Sequence, residues 1–305
     1  MQRKQSYSPH PAILKVMSAI KRIIIIYNPN STGDGKLNAE QLQGSIATQS
    51  QLPVTLQPTD YAGHAEELVK KMKDSPETMV VSSSGDGGYH EVVNGILAHN
   101  DPSSLVAGLL PSGNANDHYH AVHKGDTVKR ILKGDAQTID VLKVTVDDWT
   151  RYAHSYAGIG LTPHIGEKLT QAKLNPYNEV WLTIRYFFSA RPVKIRVNGK
   201  TRRYDSLIFS NIKRMSKYMT LSNQAKINDG KFEVTSSRAG SFSKLIKHLF
   251  KASTASLTDE ASHMTNYSFT ALRPLALQLD GEVFHFKSGA KVEVTIAKGA
   301  LRCII

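Results

Sequence analysis

The chain alternates short β-branched runs with loops rich in glycine and asparagine, and those loops with amphipathic stretches. Arg22 to Tyr27 holds four consecutive isoleucines, Ile23 to Ile26, the kind of run that fills a strand buried on both faces. It breaks at Asn28 to Lys36, NPNSTGDGK. Further strands are predicted over 54–58, 79–82 and 105–110. Helices are predicted over 37–46, 63–73 and 90–98, the second with Leu68, Val69 and Met72 on one face. Asp126 caps another helix that turns Val128, Ile131 and Leu132 inward and stops at Gly134. This order predicts a parallel sheet with helices on its faces, and such sheets bind ligands where loops leave the carboxyl ends of the strands.

From Ile139 onward the period changes to two. Val193, Ile195 and Val197 alternate with Lys194 and Arg196 before Asn198-Gly199, and Leu275, Leu277 and Leu279 precede Asp280-Gly281 in the same way. Val292, Val294 and Ile296 predict a further strand. This half reads as antiparallel sheet, interrupted by helical stretches near Tyr177 to Ser189 and Ser243 to Ser253.

Three polar loops would share one edge of the parallel sheet. In the segment Val80 to Leu97, VVSSSGDGGYHEVVNGIL, an apolar run opens into Gly85-Asp86-Gly87-Gly88 and then a helix. Positive φ at Gly85, Gly87 and Gly88 would turn backbone N–H groups toward an anion, and the helix N-terminus adds its dipole. Asp86 would face nucleotide or metal, or simply cap the helix. His90 reads as a polar helix residue and Glu91 as one that orients the loop. Asp280 and Glu282 lie two apart, which on a regular strand places both carboxylates on one face, although Asp-Gly is also an ordinary hairpin turn.

The 305 residues, 40% hydrophobic and 21% charged, suit a soluble globular protein large enough for two domains. The formal net charge of +12 implies an acidic partner: nucleic acid, anionic lipid headgroups or a phosphorylated substrate. No nucleic-acid-binding motif or aromatic stacking platform accompanies that charge, so nucleic acid is set aside. A single cysteine, Cys303, excludes an intramolecular disulfide framework and a multi-cysteine zinc site, and suits a reducing cytoplasm. Lys15 and Lys21 interrupt the first residues before a signal-peptide core or a membrane span can form.

Four separated motifs, in order, resemble those of the diacylglycerol kinase catalytic-domain superfamily, which includes bacterial soluble lipid kinases and sphingosine kinases. Asn28 to Lys36 looks like its first nucleotide loop, and Ser84 to Gly95 like its GGDGT-x-x-E-V-x-N-G signature. Leu110 to Ala121, LPSGNANDHYHA, is similar to P-x-G-T-x-N-D-F-A, and Leu279 to Phe284, LDGEVF, to a D-G-E motif. Two family threonines are replaced, by Gly88 and by Asn114. Sphingosine kinases also lack threonine in this pattern.

The resemblance implies a leader over 1–20, then an α/β, Rossmann-like three-layer nucleotide-binding domain over 21–138, joined by 288–305. A lipid-binding antiparallel β-sandwich over 139–287 follows, with the active site in the cleft between the two. It implies an ATP-dependent, Mg²⁺-assisted lipid kinase, cytoplasmic and peripheral at the inner face of the membrane. Its partners would be ATP, a membrane lipid alcohol and an anionic membrane surface; a homodimer is compatible with the sequence. Asn28, Ser31, Thr32, Gly85, Gly87, Gly88, Gly113, Asn114 and Asn116 would bind nucleotide. Asp280 would be the general base, a role that falls to Asp86 in the sphingosine kinase branch. Glu282 and Asp117 would hold catalytic Mg²⁺, and Asp229 with the carbonyls of Lys226 and Lys231 a second, structural Mg²⁺. Arg185, Arg191, Lys194, Arg196, Arg202 and Arg203 could dock the protein on anionic lipid. Two readings stay beside this one: a kinase of a soluble alcohol similar to NAD kinases, and a catalytically weakened nucleotide- or lipid-binding protein.

Overall fold

A computed structural model describes residues 20–73, 77–123, 125–163, 192–215, 219–222, 224–238 and 262–305. The leader up to residue 19, the helical stretches near Tyr177 to Ser189 and Ser243 to Ser253, and Arg185 and Arg191 lie outside the described residues.

The strands β1 (Arg22–Tyr27), β2 (Val54–Pro58), β3 (Thr78–Ser84) and β4 (Leu105–Pro111) are parallel and ordered β2-β1-β3-β4. Five helices accompany them: α1 (Gly35–Gln49), α2 (His64–Lys70), α3 (Asp86–Leu97), α4 (Asp117–Val122) and α5 (Thr127–Lys133). The alternation of the isoleucine run divides between two cores. Ile23 and Ile25 pack with Ala39, Leu42 and Ile46 of α1 and Ile131 of α5, whereas Ile26 packs with Val69 of α2 and Val92, Val93 and Ile96 of α3. Burying each such aliphatic side chain is worth about 1.5–3 kcal/mol, which makes the three-layer arrangement the stable use of this pattern.

Helices α2 and α3 approach closely at Gly95. A Cβ there would lie 2.7 Å from Val69 Cβ and 2.9 Å from the Glu66 carbonyl oxygen. Gly95→Ala is therefore expected to cost about 1–3 kcal/mol through overpacking, read as a lower urea midpoint with an unchanged slope.

The second half comprises β5 (Ala136–Val146), β6 (Trp149–Ala153), β7 (Tyr156–Gly160), β8 (Val193–Val197), β9 (Lys200–Ser210), β10 (Arg214–Met215), β11 (Met219–Thr220), β12 (Phe232–Arg238), β13 (Ser262–Met264), β14 (Asn266–Ala271), β15 (Leu275–Leu279), β16 (Glu282–Phe286) and β17 (Lys291–Ile304). Strands β10 and β11 form a separate ribbon. The two-residue hairpins are those the sequence predicts. Asn198 and Gly199 turn with φ of 49° and 75°, and Asp280 and Gly281 with 49° and 104°, the positive pair that matches strand twist.

Parallel and antiparallel strands belong to one hydrogen-bonded sheet, because β17 pairs antiparallel with β14 and β5 and then runs parallel to β4, with Cys303 opposite Ala107. Its register against β5 shifts between Ala297 and Leu301. The buried Asp140 holds that irregularity: its carboxylate accepts the amides of Gly299 (2.7 Å) and Gly230 (2.6 Å).

Candidate functional site

In an open sheet ordered β2-β1-β3-β4, the connections leave in opposite directions on either side of the gap between β1 and β3. Ligands of such folds bind outside that point. The loop after β1 and the loop after β3 meet there, and the loop after β4 closes on both. Ser112 Oγ accepts from Asn38 Nδ2 (2.8 Å) and lies 3.2 Å from Ser83 Oγ, which itself donates to the Gly35 carbonyl (2.7 Å). Gly85 and Gly113 touch backbone to backbone; a Cβ on Gly113 would strike Gly85 Cα.

The glycines of the signature loop act differently from the expectation. Among the described residues, φ is positive at nine glycines, and Gly85, Gly87 and Gly88 are not among them. Helix α3 begins at Asp86, four residues earlier than its apolar pattern suggests, so Gly87 and Gly88 lie in its first turn. They are needed for proximity: a Cβ on Gly87 would meet Glu282 Oε1, and one on Gly88 would meet Ser84 Oγ. No side chain caps α3, and the amides of its first turn have no acceptor within the helix.

Asp86 does not cap its own helix. Its Oδ2 accepts the amide of Asp117 (3.0 Å) and its Oδ1 that of His118 (3.1 Å), so it caps α4 from across the site. Each oxygen retains an acceptor position, and the residue is half-buried. The buried Asp117 follows the left-handed Asn116 (φ 51°). The Asn116 side chain folds back on its own loop, accepting from the Gly113 amide (3.0 Å) and donating to the Gly113 carbonyl (2.8 Å). Asn114 and Thr32 are exposed. Ser31 Oγ accepts the amide of Gly35 (2.8 Å), and Asn28 Oδ1 that of Asn30 (2.9 Å).

A cleft of about 310 Å³ opens here, bordered by Asn28, Ser82, Ser84, Gly88, Glu91 and Glu282 as well as by Tyr61 and Thr59. Glu91 anchors its far wall, accepting the amides of Gly63 (2.7 Å) and Ala65 (3.1 Å) at the start of α2. Burial pushes its carboxyl up against the pull of those two amides. Tyr61, 54% exposed, stacks on His64 with ring centroids 4.6 Å apart.

Asp280 and Glu282 part company. Asp280 occupies the first left-handed position of the hairpin turn instead of a strand, so its side chain turns inward and is fully buried while Glu282 stays exposed. Asp280 Oδ1 accepts the amides of Ser155 (2.9 Å) and Tyr156 (3.0 Å). Its Oδ2 accepts the amide of His154 (2.8 Å) and His90 Nδ1–H (3.0 Å). Burial alone would raise its pKa, but the His154 and His90 rings and the Tyr156 amide outweigh burial and hold the carboxyl below the usual range. With four donors on two oxygens, Asp280 has no acceptor position left for a substrate hydroxyl. That geometry ties the Asp280 carboxylate into the turn ahead of Glu282.

Around it lies a histidine cluster that no local pattern announces. Ser155 Oγ sits 2.8 Å from His154 Nδ1 and 3.0 Å from His118 Nδ1. Burial drives the pKa of His118 well down, helped by His154 and His123, and lowers that of His123 to about 4.

Asp229, Lys226 and Lys231 meet at a second cleft of about 370 Å³, also lined by Lys213, Gln224 and His263. Asp229 Oδ1 accepts the Lys231 amide (3.0 Å), an ordinary turn contact. Among the described residues no group of three His, Cys, Asp or Glu side chains could hold a metal ion. At the main site a magnesium ion requires no such cage, since one or two carboxylates suffice when water and phosphate oxygens complete the octahedron. Glu282 lies over Gly87, and Asp229 borders the second cleft with Lys226 and Lys231.

The fold is a doubly wound α/β arrangement with a cleft at its switch point. Residues 22–144 match the family model of the diacylglycerol kinase catalytic domain, and the chain is similar to members of that superfamily. It is 26% identical over 140 residues to the mitochondrial acylglycerol kinase of Xenopus laevis, covering 42% of this chain and 32% of that protein. The chain thus spans about a third of the length of the acylglycerol kinases it matches. It is 25% identical over 265 residues to the "Probable lipid kinase YegS-like" protein of Cronobacter sakazakii, covering 82% and 86% of the two chains. A crystal structure of a diacylglycerol kinase from Bacillus anthracis shares the fold, with a TM-score of 0.69 at 15% identity over 93% of this chain and 96% of that one.

Proposed function

We propose that this protein is an ATP-dependent lipid kinase acting at a membrane surface. The observation that carries the reading is the half-buried Asp86 carboxylate, held by two amides at the junction of three loops and beside the uncapped N-terminus of α3. Phosphoryl transfer needs anion donors, a divalent ion and an acceptor for the hydroxyl proton. The first-turn amides of α3 and the loop of Asn28, Ser31 and Thr32 hold the polyphosphate. Glu282 would hold a magnesium ion, which would supply neutralisation of the developing charge. Asp86 takes the proton as the lipid hydroxyl attacks; Asp280 fixes the turn that presents Glu282. On the hairpin of β8 and β9, Lys194 and Arg203 pair across the strands and Arg196 follows on the same face, a basic surface suited to anionic headgroups. The nucleotide-binding part spans 21–138 with 288–305, and the lipid-binding part 139–287.

The test is transfer of label from γ-labelled ATP, with magnesium, to vesicles carrying diacylglycerol, monoacylglycerol or sphingosine, beside NAD in solution. Label is expected in the solvent-extracted lipid. Label in NAD alone would establish the soluble-alcohol reading, and ATP binding with no acceptor labelled would establish a binding protein.

A further inference from the structure

Ser155 stands where two parts of the site meet. It lies with His154 in the turn between β6 and β7, and both residues are buried. The amides of His154, Ser155 and Tyr156 hold the Asp280 carboxylate at 2.8, 2.9 and 3.0 Å. The Ser155 hydroxyl has other partners. It lies 2.8 Å from His154 Nδ1 and 3.0 Å from His118 Nδ1, and His118 is the residue of α4 whose amide holds Asp86 Oδ1 (3.1 Å). One buried hydroxyl thus joins the helix that fixes Asp86 to the turn that fixes Asp280, two residues ahead of Glu282.

A hydroxyl has one proton to give, and both rings are neutral at pH 7 because burial lowers their pKa values, so the two contacts run in one direction. His154 Nε2 makes no hydrogen bond but faces Asp280 Oδ2 at 3.4 Å, a carboxylate that favours N–H on that side. His118 Nε2 is buried without a partner, where a bare nitrogen costs less than an N–H. This assigns Nδ1–H to His118, which donates to Ser155 Oγ, and leaves His154 Nδ1 to accept the Ser155 proton. Tyr89 packs on the two rings with centroids 5.2 and 4.8 Å away, and the rings meet edge to face at 4.5 Å, which holds both in this orientation.

We propose that Ser155 is a positioning residue, which through His118 and His154 keeps Asp86 and the turn of Asp280 and Glu282 in one relative placement. The inference rests on the kinase reading above, in which Asp86 and Glu282 serve one transfer from different elements. The groups assigned to the polyphosphate, the first-turn amides of α3 and the loop of Asn28, lie outside this linkage.

The experiment compares the wild type, Ser155→Ala, Asp86→Asn and the double variant Ser155→Ala/Asp86→Asn, with His118→Leu and His118→Asn as a second pair. It measures kcat for the labelled acceptor at saturating ATP, equilibrium binding of ATP, and Tm. Ser155→Ala is expected to lower kcat about tenfold, since a displacement of about 1 Å costs about 10²-fold and a smaller one less, with ATP affinity unchanged. In the Asp86→Asn background the same change costs about twofold or less, because the group through which it acts is gone. His118→Leu cuts the link but leaves the Ser155–His154 bond, and lowers kcat likewise; His118→Asn, whose NH₂ replaces Nδ1–H, recovers most of it. Wild-type kcat in folded Ser155→Ala, or an equal loss with and without the Asp86 carboxylate, would overturn the inference while leaving the kinase reading intact. The equal loss is what a merely structural serine gives. A wild-type protein that labels no acceptor would overturn both. Should Ser155→Ala fail to fold, the His118 pair decides: equal kcat in His118→Leu and the wild type would overturn the inference.

Discussion

Asp86→Asn is expected to slow phosphoryl transfer to lipid by about 10²–10⁴-fold, the usual contribution of a positioned acid–base group, while ATP still raises the thermal stability of the protein. Asp86 is the carboxylate of the site that combines partial exposure, fixed orientation and an unfilled acceptor position on each oxygen. The amide variant keeps one oxygen to accept from Asp117 or His118 but turns an NH₂ toward the other amide. The expected loss of stability is therefore about 1 kcal/mol, as for a weakened helix cap. Initial rates at saturating ATP, normalised to folded protein by circular dichroism, separate the two effects. Full activity in Asp86→Asn would remove the base from this residue.

Asp280→Asn is expected to act first on folding. Four donors converge on the buried carboxylate, and an NH₂ on either side opposes a backbone N–H that the carboxylate accepts. Each unsatisfied buried donor costs about 1–3 kcal/mol, so a loss on the order of 2–4 kcal/mol is expected in urea unfolding. The pH dependence has a defined sign. Because the folded-state pKa of Asp280 lies below the value near 4 of an unfolded aspartate, its contribution is complete above about pH 4 and disappears as pH falls through the folded pKa. The part of the stability gap that comes from the Asp280 carboxylate should then be lost below about pH 4. Both proteins share an earlier acid loss from His118 and His123, whose depressed pKa values mean that the unfolded chain binds protons first as pH drops below about 6.5. For His123 that loss runs down to about pH 4. A gap that failed to narrow below about pH 4 would contradict the direction given for Asp280.

Much of the scaffold was legible because its signals are local. The isoleucine run, the Asp126 and Gly134 helix boundaries and the Asn198-Gly199 and Asp280-Gly281 turns all state their conformation within a few residues. The loops of the site were legible as loops for the same reason. Their internal logic was not. Gly87 and Gly88 look like residues chosen for backbone freedom, yet they are helical and exist to admit Glu282 and Ser84. Asp86 looks like a cap and is one, but for a helix thirty residues onward. Asp280 has the spacing of a metal-facing pair with Glu282, and a left-handed turn sends the two carboxylates into different surroundings. His90, a polar residue beside apolar positions of its helix, gave no sign of its partner, because contacts that close through tertiary packing leave no periodicity behind.

The path of β17 bears on how the protein comes off the ribosome. Strands β1 to β4 can pair as soon as they emerge, but the outer edge of β4 finds its neighbour only with Cys303, and the edge of β5 away from β6 waits for the same strand. Until then the nascent chain carries an open edge of Leu105 to Leu110, apolar along its whole length. Exposed edges of this kind invite pairing with other chains, and contacts so distant in sequence form slowly. Yield in the cell should therefore be set by how long that edge stays open during synthesis, a kinetic hazard that the finished sheet conceals.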